Sequence, residues 1–299
     1  MTTLWYTRCP IPTAAGIAVQ TGMLAEEFAP DGIEVRSLSA SASRRVHESH
    51  FDHTQPDSFR HGGNVPPIWS RSRGADTAVV ALSWTDEYQS IIALPESGIA
   101  APADLKGRRI GLPARVNDQI DFYRSMCLRG TLHALALAGL DERDVRFVKI
   151  PVEENYIGAT SQSQTGQLWS GAHRARRSRA EAFALVRGEI DAVYTSGALG
   201  LFLRDFLGAR DIVDLGFHAD PAIRCNNDQP TVLTVSGPLA RERPAHVARF
   251  LGKCPRAAGP ACAHRRDAAR PRRAFPQTVP AGGRLGAHAP RRGAADRSR

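Results

Sequence analysis

The sequence predicts an α/β protein built on parallel sheets and long enough for two lobes. Three observations carry this. Short β-prone apolar runs alternate with helically spaced segments along most of the chain. The opening reads strand, helix, strand, a unit that requires a parallel sheet with its loops at the carboxyl ends of the strands. At 299 residues, the chain holds one large or two ordinary domains.

Leu4–Thr7 (LWYT) is the first strand, and Pro10 and Pro12 stop it with Cys9 at its tip. Thr13 caps a helix reaching Phe28, with Ile17, Leu24 and Phe28 on one face. Pro30-Asp31-Gly32 turns the chain into the strand Ile33–Leu38, and a long loop, Ser39–Gly63, follows. Pro66 and Pro67 suit the first turn of a helix over Pro66–Arg73. Gly62 and Gly63 then precede a helix N-terminus, where free amides and the positive dipole end seat an anion. Arg60, a planar fork of donors, closes the other side around a carboxylate, sulfinate or phosphate.

Thr77–Ser83 reads as a buried strand and Tyr88–Leu94 as another, after which the chain crosses to a second lobe. There a strand within Pro102–Ala114, a long helix over Asp118–Leu140 and the strand Val145–Val152 follow. Glu153–Arg177 is polar and carries no clear period; Arg179–Val186 is helical and Gly188–Tyr194 a turn and strand. The helix Ala198–Leu207, strands Asp211–Leu215 and Thr231–Ser236, and the helix Pro244–Leu251 are expected back in the first lobe. The expected division is residues 1–92 plus 197–251 for lobe I, 93–196 for lobe II, and 252–299 as a tail.

The tail changes the meaning of the net charge of +9. Residues 251–299 hold 12 Lys+Arg against 2 Asp+Glu, so the other 250 residues carry about −1. A near-neutral body gives no nucleic-acid or membrane signal. Ala, Arg, Pro and Gly make up 35 of those last 49 residues, too little apolar surface to offset ordering entropy. The change interrupts an amphipathic helix rather than following a linker, so the tail is expected to be disordered or to come from a shifted reading frame. Poor solubility is the expected consequence.

No run reaches the roughly 18 apolar residues of a membrane span, and the N-terminus lacks a basic segment followed by an apolar one. The five scattered cysteines show no CxxC spacing, which points to a reducing compartment. The cytoplasm is therefore expected, or the periplasm if a leader lies upstream.

Cys9 is the first chemical candidate, since a strand tip beside Arg8 favours thiolate, whereas Cys127 in mid-helix reads as core. His47, His50, His53 and His61 suggest a metal, but Phe51 stands where HExxH needs its second histidine, and no metal is expected. Walker A, GxGxxG and GxSxG sequences do not occur, so neither nucleotide binding nor serine hydrolase chemistry is supported. No cofactor is expected.

The stretches YTRCPIPTA (Tyr6–Ala14) and HFDHTQPDSFRHGGNVPP (His50–Pro67) resemble those of the 2'-hydroxybiphenyl-2-sulfinate desulfinase family. DLKGRRIGLPA, DERDVRFVKIPV and GEIDAVY resemble the wider type II periplasmic-binding-protein fold, shared with receptors for sulfonate, taurine and nitrate importers. The resemblance covers about residues 3–250. It implies two lobes with a ligand cleft between them, and a carbon–sulfur hydrolase that releases sulfite from an aromatic sulfinate. It also implies catalytic roles for Cys9, His50 and Arg60, with Arg60, Gly62, Gly63, Phe51 and Gln55 holding the substrate. Arg8 departs from the family, which has a neutral residue before its cysteine, and Glu153–Arg177 does not align well.

Two roles are open to Cys9: thiolate attack on sulfur, or proton donation to carbon. Attack by an anion on an anion is costly in a low-dielectric site, which favours donation. The alternative class is a non-catalytic receptor for a sulfonate-like anion, partnered by an importer permease.

Overall fold

The strand–helix–strand opening and most of the order after it recur in the computed structural model, which describes residues 2–9, 13–157 and 179–255. Two mixed five-stranded sheets, each flanked by helices, form the two lobes. The first sheet contains β1 (Thr2–Arg8), β2 (Ile33–Ser37), β3 (Ser58–Gly62) and β4 (Thr77–Ser83), with β10 (Thr231–Ser236), in the order β2-β1-β3-β10-β4. The second contains β5 (Gln89–Ala93), β6 (Arg109–Arg115), β7 (Arg146–Val152), β8 (Ala192–Ser196) and β9 (Arg210–Asp214), in the order β7-β6-β8-β5-β9. In each, four strands run in one direction and one, β10 in the first sheet and β5 in the second, runs antiparallel to both of its neighbours.

The helices of the first half are α1 (Ala14–Gln20), α2 (Met23–Phe28), α3 (Arg44–Asp52) and α4 (Val65–Ser72), followed by α5 (Phe122–Leu137). Then come α6 (Arg179–Val186), α7 (Gly197–Leu207), α8 (Pro221–Arg224), α9 (Gly237–Glu242) and α10 (244–255). Thr13 caps α1 by accepting from Gly16 N–H. The single helix expected to Phe28 is instead two, because Gly22 takes φ +79° between them. Asp121 caps α5 by accepting from Arg124 N–H, and Cys127 is fully buried there, its thiol pushed up by burial.

Three expectations are corrected. The loop Ser39–Gly63 contains a helix, α3, and a wholly buried central strand, β3. Its sequence, SFRHG, lacks a strand's apolar run, and Ser58, Arg60 and His61 Nε2 are held there by hydrogen bonds to distant or loop groups. β4 is an edge strand rather than a buried one, with Val79 58% and Leu82 64% exposed. The lobe limits at 92/93 and 196/197 do not coincide with the sheets: β5, α7 and β9 all belong to the second. β5 needs neighbours on both sides and finds them in β8 and β9, and α7 packs on β8 and β5. The chain therefore crosses between β4 and β5 and returns between β9 and β10.

The first lobe's core joins Leu4, Phe28, Phe59, Leu233 and Phe250, with the rings of Phe59 and Phe250 stacked at 3.8 Å. Burying such side chains contributes roughly 1.5–3 kcal/mol each. α10 continues past Leu251 to residue 255, and Cys254 is buried in the same core, its thiol pushed up to about 11 by burial. The tail expected from residue 252 thus begins after a last helical turn, and its reading as disordered or frameshifted concerns residues outside those described. Among the described residues no helix is long and apolar enough to cross a membrane.

Candidate functional site

Strand register brings the site together. β1 and β3 run parallel with Thr7 opposite Arg60 and Arg8 opposite His61, and Cys9 N–H continues the ladder to the His61 carbonyl at 3.1 Å. Side chains alternate along a strand, so Thr7, Cys9, Arg60 and Gly62 face one side. Arg8 faces the other, where its guanidinium meets Gln20 at 3.3 Å. The cation beside Cys9 is therefore Arg60, not Arg8.

Arg60 is 2% exposed and has no carboxylate ion-pair partner among the described residues. Carbonyls hold it instead: Nε donates to His50 O at 2.8 Å and Nη1 to Gly63 O at 2.8 Å. His50 lies in the last turn of α3, where a cation is favoured by the helix dipole. Nη2 points at Cys9 Sγ, 3.6 Å away. Burial lowers the Arg60 pKa, while Cys9, Tyr156 and Asp228 oppose that shift electrostatically.

His50 completes the cluster, with Nε2 3.7 Å from Cys9 Sγ and Nδ1 2.7 Å from Thr7 Oγ1. Its ring stacks on Tyr156 at 5.9 Å and meets the edge of Phe51 at 5.0 Å. Phe51, Phe122 and Tyr156 pack together across the two lobes. Phe51 is 1% exposed, so it forms the wall behind the imidazole.

Gly62 and Gly63 act differently from expectation. Each is a place where a side chain has no room: a Cβ on Gly62 would lie 2.2 Å from Cys9 Sγ, and one on Gly63 2.1 Å from Asn227 Nδ2. The N-terminus of α4 is not an open anion seat. Asn64 N–H donates to Asn227 O at 2.7 Å and Val65 N–H to Asn227 Oδ1 at 3.0 Å, while Pro66 and Pro67 carry no amide hydrogen. The Gly63 amide has no acceptor among the described residues. Gln55 is not drawn into the cluster; its backbone amide donates to Ser49 Oγ at 2.8 Å.

The histidines diverge rather than converge. His47 pairs with Ser41 O, His53 with Thr234 and His61 with Ser83, and no group of metal-binding side chains assembles among the described residues. Burial and the Arg60 charge push His53 down to about 3 and His61 to about 4, so both are neutral at neutral pH. Asp228, close enough to feel Arg60, is raised by burial and by Glu87 nearby. Thr7, Tyr156, Asn227 and Asp228 were not singled out from sequence. None sits in a motif, and Tyr156 falls in the stretch with no readable period.

The family profile described as NMT1/THI5 like matches residues 28–159. The 2'-hydroxybiphenyl-2-sulfinate desulfinase of Rhodococcus erythropolis is 29% identical over 272 residues, covering 83% of this chain and 69% of the relative. Over most of its length the chain is similar to that desulfinase, and the NMT1/THI5-like profile matches its first half in part. Among solved structures, a Cys-to-Ser variant of the desulfinase DSZB in complex with biphenyl-2-sulfinic acid matches with TM-score 0.65 and 28% identity. That match covers 88% of this chain and 77% of the other. The periplasmic aliphatic sulphonate-binding protein SsuA from Escherichia coli matches with TM-score 0.60 at 17% identity, covering 89% and 72%. That likeness shows a fold shared with the sulphonate-binding protein.

Proposed function

We propose that the protein cleaves the carbon–sulfur bond of an aromatic sulfinate and releases sulfite. The observation that carries this is Arg60: a guanidinium buried without a carboxylate partner among the described residues, 3.6 Å from a thiol that is itself 3.7 Å from an imidazole. A buried cation in that state calls for an anion. Two of its N–H groups are committed to carbonyls and one to sulfur, which leaves hydrogens on Nη1 and Nη2 for sulfinate oxygens, with Gly63 N–H beside them. The relative held in complex with biphenyl-2-sulfinic acid supports the same ligand class.

A sulfinate on Arg60 satisfies that charge, so a second anion on Cys9 loses its stabilisation and sulfur keeps its proton. The Cys9 thiol then protonates the ring carbon bearing sulfur. The C–S bond breaks with its electron pair returning to the ring, and sulfur dioxide leaves. Water converts sulfur dioxide to bisulfite and a proton, which restores the thiol. The sum is aryl sulfinate plus water to arene plus bisulfite. His50, oriented by Thr7, sets the position of the thiol and its proton.

The test is sulfite release from biphenyl-2-sulfinate and its 2'-hydroxy derivative, followed by thiol-exchange colorimetry against a Cys9→Ala control. Release that disappears in the control is expected. Tight sulfinate binding without release sinks the enzyme reading and leaves a receptor.

A further inference from the structure

The segment that returns the chain from the second sheet to the first, residues 225–230, runs directly over the glycine turn. Asn226 anchors it in the second lobe: its Nδ2 donates to Met126 O at 3.1 Å and lies 3.1 Å from Tyr194 Oη and 3.3 Å from Gln89 Oε1. Toward the first lobe, Asn64 Nδ2 donates to Asn226 O at 2.8 Å and to Pro230 O at 3.0 Å. Asn227 takes the next two amides of the turn, Asn64 N–H through its carbonyl and Val65 N–H through Oδ1. Its Nδ2 donates to Asp228 Oδ1 at 2.7 Å, which fixes which way the amide faces. The same side chain fills the space over Gly63.

Gly63 is the residue whose carbonyl holds Arg60 Nη1. A continuous path of short contacts therefore runs from the second lobe, through Asn226 and Asn227, to the Gly63 carbonyl, to Arg60 and to the sulfur of Cys9.

We propose that Asn227 is a positioning residue, clamping the turn Gly62–Val65 so that the Gly63 carbonyl keeps the Arg60 guanidinium against Cys9. It touches neither the thiol nor the proposed anion; it acts through Gly63. This explains why residue 63 has no side chain. The reason is the neighbour packed on it, since Gly63 is not among the glycines with positive φ. The role of Asn227 in turnover rests on the desulfinase reading, whereas its hold on Arg60 is readable from the thiol without substrate.

The experiment is the ultraviolet titration of Cys9 thiolate in the full chain, each variant differenced against the same variant carrying Cys9→Ser. Asn227→Ala frees the turn, and Arg60 moves off the sulfur. The thiolate midpoint is expected to rise by about one pH unit, ~10-fold in the ionisation equilibrium. Asn64→Ala cuts the same clamp from the half-buried side of the turn and is expected to raise the midpoint in the same direction; it decides the matter if Asn227→Ala does not fold. A steric cycle adds a readout that general loosening does not produce. Gly63→Ala alone collides with Asn227 and displaces the turn, but in the Asn227→Ala background it shifts the midpoint no further.

A folded Asn227→Ala protein whose midpoint moves by less than about 0.3 pH unit overturns the proposal. So do shifts from Gly63→Ala and Asn227→Ala that simply add. If no aryl sulfinate yields sulfite with the wild type, the functional reading fails, and the thiol midpoints still decide whether Asn227 positions Arg60.

Discussion

Replacing Gly62 with alanine tests the site with a single methyl group. Built on the observed backbone, that methyl lies 2.2 Å from Cys9 Sγ, 2.9 Å from Cys9 Cβ and 3.3 Å from Cys9 N. Ordinary contact between such atoms is roughly 3.5–4.0 Å, so the sulfur must retreat by about 1.5 Å. The strands have little freedom to absorb this. β3 is paired on one side with β1 and on the other with β10, and Cys9 N–H is tied to the His61 carbonyl. The movement therefore falls on the Cys9 side chain, which swings away from His50 Nε2 and Arg60 Nη2. Overpacking of this kind costs about 1–3 kcal/mol of stability, and a misplacement of about 1 Å costs ~10²-fold in turnover. The assay is kcat for sulfite release from biphenyl-2-sulfinate, with thermal unfolding run on the same preparation. A folded Gly62→Ala enzyme with wild-type kcat refutes the placement of Cys9 in the chemistry.

Cys9→Ser is expected to lower sulfite release by ~10³-fold or more while calorimetric affinity for biphenyl-2-sulfinate stays within about threefold, since proton donation and anion binding lie on different residues. Arg60→Met removes the anion's partner without leaving a buried charge; calorimetry should find no sulfinate binding, and retained affinity would assign the anion elsewhere. Glu181 is 2% exposed, no side-chain partner reaches its carboxyl oxygens among the described residues, and burial raises it to about 7. In the folded protein it keeps its proton where the unfolded chain has lost it, so it lowers stability progressively between about pH 4.5 and 7. Glu181→Gln should therefore add up to about 3 kcal/mol in urea unfolding at pH 8 and almost nothing at pH 4.5; an equal effect at both pH values contradicts the assignment. Phe51→Ala should cost about 3–5 kcal/mol by the same method, because a side chain this buried leaves a cavity behind the imidazole.

What was legible in the sequence was whatever declares itself locally. Cys9 at a strand tip followed by prolines, the capped helices, and the apolar runs of β5, β8 and β10 all follow from periodicity and from residues that restrict the backbone. β3 was not legible, because its stabilising contacts are polar and distant: His61 reaches Ser83, and Arg60 reaches the carbonyls of His50 and Gly63. A pattern reader sees a loop where the fold places a central strand. The lobe boundary was hidden for a related reason. An apolar run such as QSIIA announces burial between two neighbours without naming the sheet that supplies them.

The amino-acid order by itself determined the α/β class, the presence of a thiol, an imidazole and a guanidinium in one early stretch, and the abrupt change of composition near residue 251. Only the tertiary structure decided that Arg60 rather than Arg8 stands beside Cys9, that Gly62 and Gly63 make room for Cys9 and Asn227, and that Asn227 occupies the helix end expected to hold an anion. Strand alternation sends neighbouring side chains to opposite faces, and parallel pairing joins positions more than fifty residues apart. Distances at a site are set by that register, and no local pattern contains it.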